Sequence, residues 1–122
     1  MTLRFEIFAS DLDAVVDFYT RVLGFRVGKD ERADPEPYVS MTRGAVHVGV
    51  VGAVVAADAG ATRRPPTGVE LVLEVDDVAG ERARVVAAGW PLEEDIQHRS
   101  WDLTDFRVLD PEGYYLRITS RP

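Results

Sequence analysis

Cysteine is absent from this chain of 122 residues, so neither a disulfide framework nor a thiolate metal site can be built. Basic residues are also scarce. Fourteen Lys and Arg face twenty-one Asp and Glu, for a net charge of −7, which argues against nucleic acid because phosphates call for a basic surface. The longest apolar run, around residues 46–57, is too short to span a bilayer and is broken by glycines. Nothing resembles a signal peptide, and a cytoplasmic address is the expectation. Glycines 49, 52, 60 and 68 are not spaced to cradle phosphate, and no nucleophile elbow is present. Apolar residues at 46% and charged residues at 29% are ordinary for a globular chain large enough for one core.

What the sequence does contain is a repeat. Arg4-Phe5-Glu6-Ile7-Phe8-Ala9-Ser10-Asp11-Leu12 leads into a helical pattern that stops at Gly24-Phe25. Glu70-Leu71-Val72-Leu73-Glu74-Val75-Asp76-Asp77-Val78 leads into another that stops at Gly89-Trp90. Each copy continues into two apolar segments joined at a glycine, Gly44 or Gly113. Units of this size do not bury a core alone, so the two copies are expected to share one domain and form a cleft.

Alternation over residues 3–9 predicts a strand with Phe5 and Ile7 on one face and Arg4, Glu6 and Phe8 on the other. Ser10 or Asp11 caps a helix whose stripe is Leu12, Val15, Val16, Tyr19, Val22 and Leu23. A strand starts at residues 25–28, residues 29–37 read as a charged loop, and strands follow at 38–42 and 45–51 around Arg43-Gly44. Residues 54–67, with Arg63-Arg64 and a stiffening Pro65-Pro66, read as a linker. The second copy gives a strand at 69–75, a helix capped by Asp76 or Asp77, a strand start at 90–92 and a polar loop at 93–100. Strands at 106–109 and 114–119 flank the strong turn Asp110-Pro111-Glu112-Gly113. The order is βαβββ twice, an α+β fold with module 1 at about 1–53, the linker at about 54–67 and module 2 at about 68–122.

Three stretches carry a resemblance to a known family. They are Ser10-Asp11-Leu12 through Asp17-Phe18-Tyr19 to Leu23-Gly24-Phe25, Glu74-Val75-Asp76-Asp77-Val78 to Ala87-Ala88-Gly89, and Trp101 through Phe106 to Asp110-Pro111-Glu112-Gly113. The chain resembles the vicinal oxygen chelate superfamily of glyoxalase I, bleomycin resistance proteins and extradiol dioxygenases. The resemblance implies a curved mixed sheet around a cleft, helices outside, and a homodimer. It does not choose among the family's activities.

Metal-dependent members place four ligands on the first and last strand of each half. Counting from Asp11 and Asp77 puts Arg4 and Glu70 at the first-strand positions. Counting from Gly44 and Gly113 puts Val48 and Arg117 at the last-strand positions. Only Glu70 is a metal donor, and arginine stays charged and repels a cation, so no metal and no cofactor is expected. A shifted site would need Glu6 or His47, and alternation from Val48 sends His47 to the opposite face.

Arg4, Glu70 and Arg117 then admit two readings. One is an Arg–Glu–Arg network filling the metal position, and the other is a pair of guanidinium groups holding an anionic or carbonyl-bearing ligand. Trp101 matches the spacing of a groove tryptophan in bleomycin resistance proteins, although Ser100 and Asp102 flank it where that family has Pro and Gly. It is equally suited to stacking a ligand or to packing at an interface. Trp90 reads as a core or sheet residue. Phe8, Tyr38, Met41, Phe106 and Tyr115 are candidates for either the cleft wall or the core.

The expected activity is metal-independent binding of a small organic molecule, such as sequestration of an antibiotic-like compound. Two rivals stand beside it. One is an enzyme, either a glyoxalase-type lyase or isomerase with Glu70 as general base or a dioxygenase-like enzyme with a divergent metal site. The other is a structural or regulatory domain without a ligand.

Overall fold

A computed structural model describes residues 1–52 and 65–122. The chain divides into two compact units, Met1–Arg64 and Pro65–Pro122. Most of the segment expected as a linker, including Arg63-Arg64, lies outside the described residues. Among the described residues, no helix is long and apolar enough to cross a membrane.

In the first unit, β1 (Arg4–Phe8) leads into α1 (Leu12–Asp17), which runs on as a π-helical turn over Phe18–Val22. Strands β2 (Arg26–Glu31), β3 (Tyr38–Arg43) and β4 (Val46–Val51) complete it. The sheet order is β1-β4-β3-β2, with β1 parallel to β4 and the other pairs antiparallel. Asp11 caps α1, its carboxylate accepting from the Ala14 N–H at 3.0 Å. The π turn is closed by the Leu23 N–H donating to the Phe18 carbonyl at 3.1 Å. This wider turn brings the neighbours Phe18 and Tyr19 and the pair Val22 and Leu23 all into the core. Tyr19 meets Phe18 and Phe25 edge to face, with ring centroids 5.1 and 5.5 Å apart. Gly24 then takes a φ of 73° and turns the chain out of the helix.

The second unit repeats the plan with β5 (Leu71–Val75), α2 (Val78–Ala87), β6 (Glu94–His98), β7 (Thr104–Leu109) and β8 (Tyr115–Ser120). Its order is β5-β8-β7-β6, with β5 parallel to β8. Asp77 caps α2 through the Gly80 N–H at 2.9 Å. Here the core is thinner, with Val78 and Val85 buried from the helix and Phe106, Val108, Leu116 and Ile118 from the sheet.

Two stretches expected as loops are strands. β2 continues through Lys29, Asp30 and Glu31, and the polar segment 93–100 contains β6. Both are edge strands with a register shift, β2 against β3 and β6 against β7. Charge suits an edge strand because it discourages pairing with another chain, so polarity alone did not mark a loop. Trp90 stands just before β6 rather than in a strand, and its indole N–H donates to the Leu109 carbonyl at 2.8 Å.

The two glycine turns differ in length. Arg43 pairs with Val46, leaving only Gly44 and Ala45 between them. Leu109 pairs with Tyr115, leaving residues 110–114 as the loop. In that longer loop the buried Asp110 carboxylate accepts from the N–H groups of Glu112 and Tyr114 at 2.9 and 2.8 Å.

Candidate functional site

The helix of each unit packs on one face of its sheet, α1 against β4 and α2 against β7 and β8. Residues on the opposite face of the sheet are therefore the ones available for chemistry. In the first unit that far face carries Arg4, Glu6 and Phe8 from β1. Strand pairing sets Arg4 beside His47 and Glu6 beside Gly49, with Ser40 and Thr42 next to them on β3.

Val48 is not on this face. It pairs with Phe5 and Met41, is 1% exposed and belongs to the core, so its placement on the cleft is corrected. Val48 and Arg117 each lie four residues past their turn glycine, but β4 and β8 pair with their first strands one residue out of step. A one-residue slip moves a strand's side chains to the other face. By pairing register the partner of Arg117 in the repeat is Gly49, because Glu6 pairs with Gly49 as Val72 pairs with Arg117. His47, which alternation from Val48 should have turned away, shares the face of Arg4. Met41 and Phe106 are likewise core residues, both 0% exposed.

Arg4 makes its ion pair with Glu6, Nε to Oε1 at 2.9 Å. The Tyr38 hydroxyl lies 3.4 Å from the same oxygen. Burial pushes the Tyr38 phenol pKa up, and the Glu6 charge adds to the effect. The other Glu6 oxygen, Oε2, is buried without a hydrogen-bond partner. It lies over Gly49, where a Cβ would meet it at 1.9 Å and the Tyr38 hydroxyl at 2.6 Å.

The second unit carries a larger charged array. Arg117 Nε lies 3.1 Å from Glu70 Oε1, and Arg107 Nε lies 4.0 Å from Glu70 Oε2. These are ion pairs by distance only, since both Nε atoms are buried and neither makes a hydrogen bond. Arg107 also reaches Glu94 at 3.2 Å and stands over the Tyr115 ring, 5.8 Å from its centroid. Arg99 joins Glu94 at 2.9 Å to Asp105 at 2.8 Å. Asp105 is fully buried, and its Oδ2 has no partner. The array thus balances Arg99, Arg107 and Arg117 against Glu70, Glu94 and Asp105.

Glu70 is therefore held by Arg117 and Arg107, and Arg4 is held by Glu6. The expected set of Arg4, Glu70 and Arg117 did not include Arg107, Glu94, Arg99 and Asp105, which the second unit joins in one array with Glu70 and Arg117. The signal for Arg107 was the closing hairpin itself, since counting back from loop 110–114 sets it opposite Arg117. Trp101 stands apart, 55% exposed in the β6–β7 turn. There the Arg99 carbonyl accepts from the Asp102 N–H at 3.0 Å, and Asp102 takes a φ of 67°.

Among the described residues, no three His, Asp or Glu side chains are grouped to hold a metal ion. At the four family ligand positions the first unit offers Arg4 and Gly49, neither a donor. The second offers Glu70 beside Arg117. This donor set does not fit a divalent metal.

The sequence matches the Glyoxalase/Bleomycin resistance protein/Dioxygenase superfamily over residues 3–118. No curated protein matches it. Among solved structures, TioX from Micromonospora sp. ML1 is similar at 24% identity and a TM-score of 0.78, covering 100% of this chain and 99% of that one. A superfamily member from Sphaerobacter thermophilus has 21% identity and a TM-score of 0.77 over 99% and 97% of the two chains. Lactoylglutathione lyase from Agrobacterium tumefaciens has 20% identity and a TM-score of 0.73 over 98% and 92%. At these identities the likeness establishes the fold alone. With its βαβββ repeat and a family match spanning nearly every residue, the chain belongs to the Glyoxalase/Bleomycin resistance protein/Dioxygenase superfamily.

Proposed function

We propose that the protein binds a small organic molecule without a metal and sequesters it, an antibiotic-like compound being one such ligand. The observation that carries this reading is the pair Arg107 and Arg117 on the far face of the second sheet. Both guanidinium groups lie within ion-pair distance of Glu70, and the two side chains keep 21% and 20% of their exposure. Forked N–H groups set in this way suit a ligand carboxylate or carbonyl oxygen. Tyr115 adds an aromatic ring beside Arg107 in the same unit, and Trp101 is an exposed ring for stacking; on its own far face the first unit offers Arg4, Glu6, Phe8 and Tyr38. A catalytic role for Glu70 as general base is the weaker reading, because its carboxylate stands between two guanidinium groups.

The protein is further proposed to work as a cytoplasmic homodimer of single-domain chains, with modules at about 1–53 and 68–122 joined by the linker. Titration with benzoate and a panel of aromatic carbonyl compounds, followed by calorimetry and tryptophan fluorescence, tests the binding reading. At least one compound should bind saturably and lose affinity tenfold or more in Arg117→Met. Binding by none, or binding indifferent to both Arg107→Met and Arg117→Met, would overturn it.

A further inference from the structure

The first unit holds an anomaly that the arginine pair does not explain. Unpartnered buried polar atoms are rare in folded proteins, and each calls for a reason. Glu6 Oε2 is such an atom, although its side chain keeps 30% of its exposure and has water within reach of a rotation. Both partners of the carboxylate, Arg4 and Tyr38, lie on Oε1. Oε2 points down onto Gly49, into space that any other residue would fill with its Cβ.

We propose that Glu6 is a movable contact, parked on Gly49 in the free protein and turning up to accept a hydrogen bond from an N–H group of the ligand. The matching chemistry is a planar nitrogen donor, an amidinium, carboxamide or heteroaromatic N–H, whose bond to a carboxylate is charge-assisted. Rotation about the side-chain torsions suffices. The turn loosens the contacts of Oε1 with the exposed Arg4 and with Tyr38, and the ligand donor, given to an oxygen that had no partner, offsets that loss on binding. Gly49 then sets the affinity, because the population of the upright carboxylate scales the apparent dissociation constant. This inference rests on the reading of the far faces as ligand-binding surface and adds what the first unit selects for.

The test is an NMR titration of the full chain with benzamidine, benzamide and benzoate, reading backbone amide shifts. Benzamidine, and more weakly benzamide, should shift Gly49 and Ser40 saturably, and benzoate should leave them still. Glu6→Gln should lower benzamidine affinity at least tenfold. Gly49→Ala removes the parked position and displaces only the ends of flexible side chains, so it should keep or raise that affinity. Silence at Gly49 with benzamidine, equal affinity in Glu6→Gln, or lost affinity in a folded Gly49→Ala would each overturn the proposal. Benzoate shifts at Arg107 and Arg117 in the same titrations report on the wider reading, so the two fail separately.

Discussion

Arg107 and Arg117 stand directly opposite each other across the β7–β8 ladder, two like charges at a position where like charges repel. Glu70, from the approach to β5, lies within ion-pair distance of both, and Glu94 takes the outer side of Arg107. The opposed pair is tolerated because carboxylates flank it.

Glu70→Gln therefore removes the carboxylate that both arginines share. The side chains involved retain 20–29% of their exposure, which moderates the cost of breaking a fully buried pair. A loss of about 1–3 kcal/mol in urea denaturation is expected. Arg4→Met, whose side chain is 65% exposed and pairs only with Glu6 among the described ion pairs, should stay within about 1 kcal/mol. Equal losses in the two variants would contradict this partition.

The two helix caps give an internal control on the repeat. Asp11→Ala and Asp77→Ala each delete a carboxylate that accepts the N–H three residues on, at 3.0 and 2.9 Å. Each should cost about 1 kcal/mol, read from the shift in the denaturation midpoint at constant slope.

Elemental analysis of the purified protein should find no stoichiometric zinc, nickel, iron or manganese. The melting temperature should be the same with and without a chelator, since only an ion bound to the native state adds stability. One ion per chain would direct attention back to Glu6, His47 and Glu70.

Acid titration offers a local readout at Asp95. The Arg82 guanidinium, then the Ile96 N–H, hold its pKa down from 3.8 to about 2. A folded pKa below the unfolded one contributes stability that is complete above about pH 4 and lost as pH falls toward 2. Carbon-detected NMR should show Asp95 titrating in that low range. In Arg82→Met the titration should move up toward the ordinary aspartate value.

Light scattering at micromolar concentration should give about twice the 13.5 kDa chain mass if the protein is a homodimer. A monomer persisting at millimolar concentration would exclude it.

The plan of the fold was readable because it is written in local chemistry. Asp11 and Asp77 mark helix starts, and the apolar stripe from Val15 to Leu23 marks the buried face. Strands β2 and β6 were obscured because they are edge strands whose residues are charged, and only their pairing with β3 and β7 identifies them. The site was half legible. Arg4 lies on β1, Arg117 on β8 and Glu70 just before β5, but their partners depend on which residue lies across a ladder. Val48 was misplaced and Gly49 overlooked because β4 pairs with β1 one residue out of step with β8 on β5, an offset that residue counts hide and backbone pairing reveals.

The glycine at position 49 also bears on how this chain can change. A histidine or aspartate placed there could present a metal donor only after displacing the Glu6 carboxylate and the Tyr38 hydroxyl, which lie where its Cβ would go. Building a chelating first half would take coordinated replacements at 4, 6 and 49. Each intermediate would carry either a crowded strand or an unanswered charge. Engineering a metal site on this face of the scaffold should therefore begin by removing Glu6.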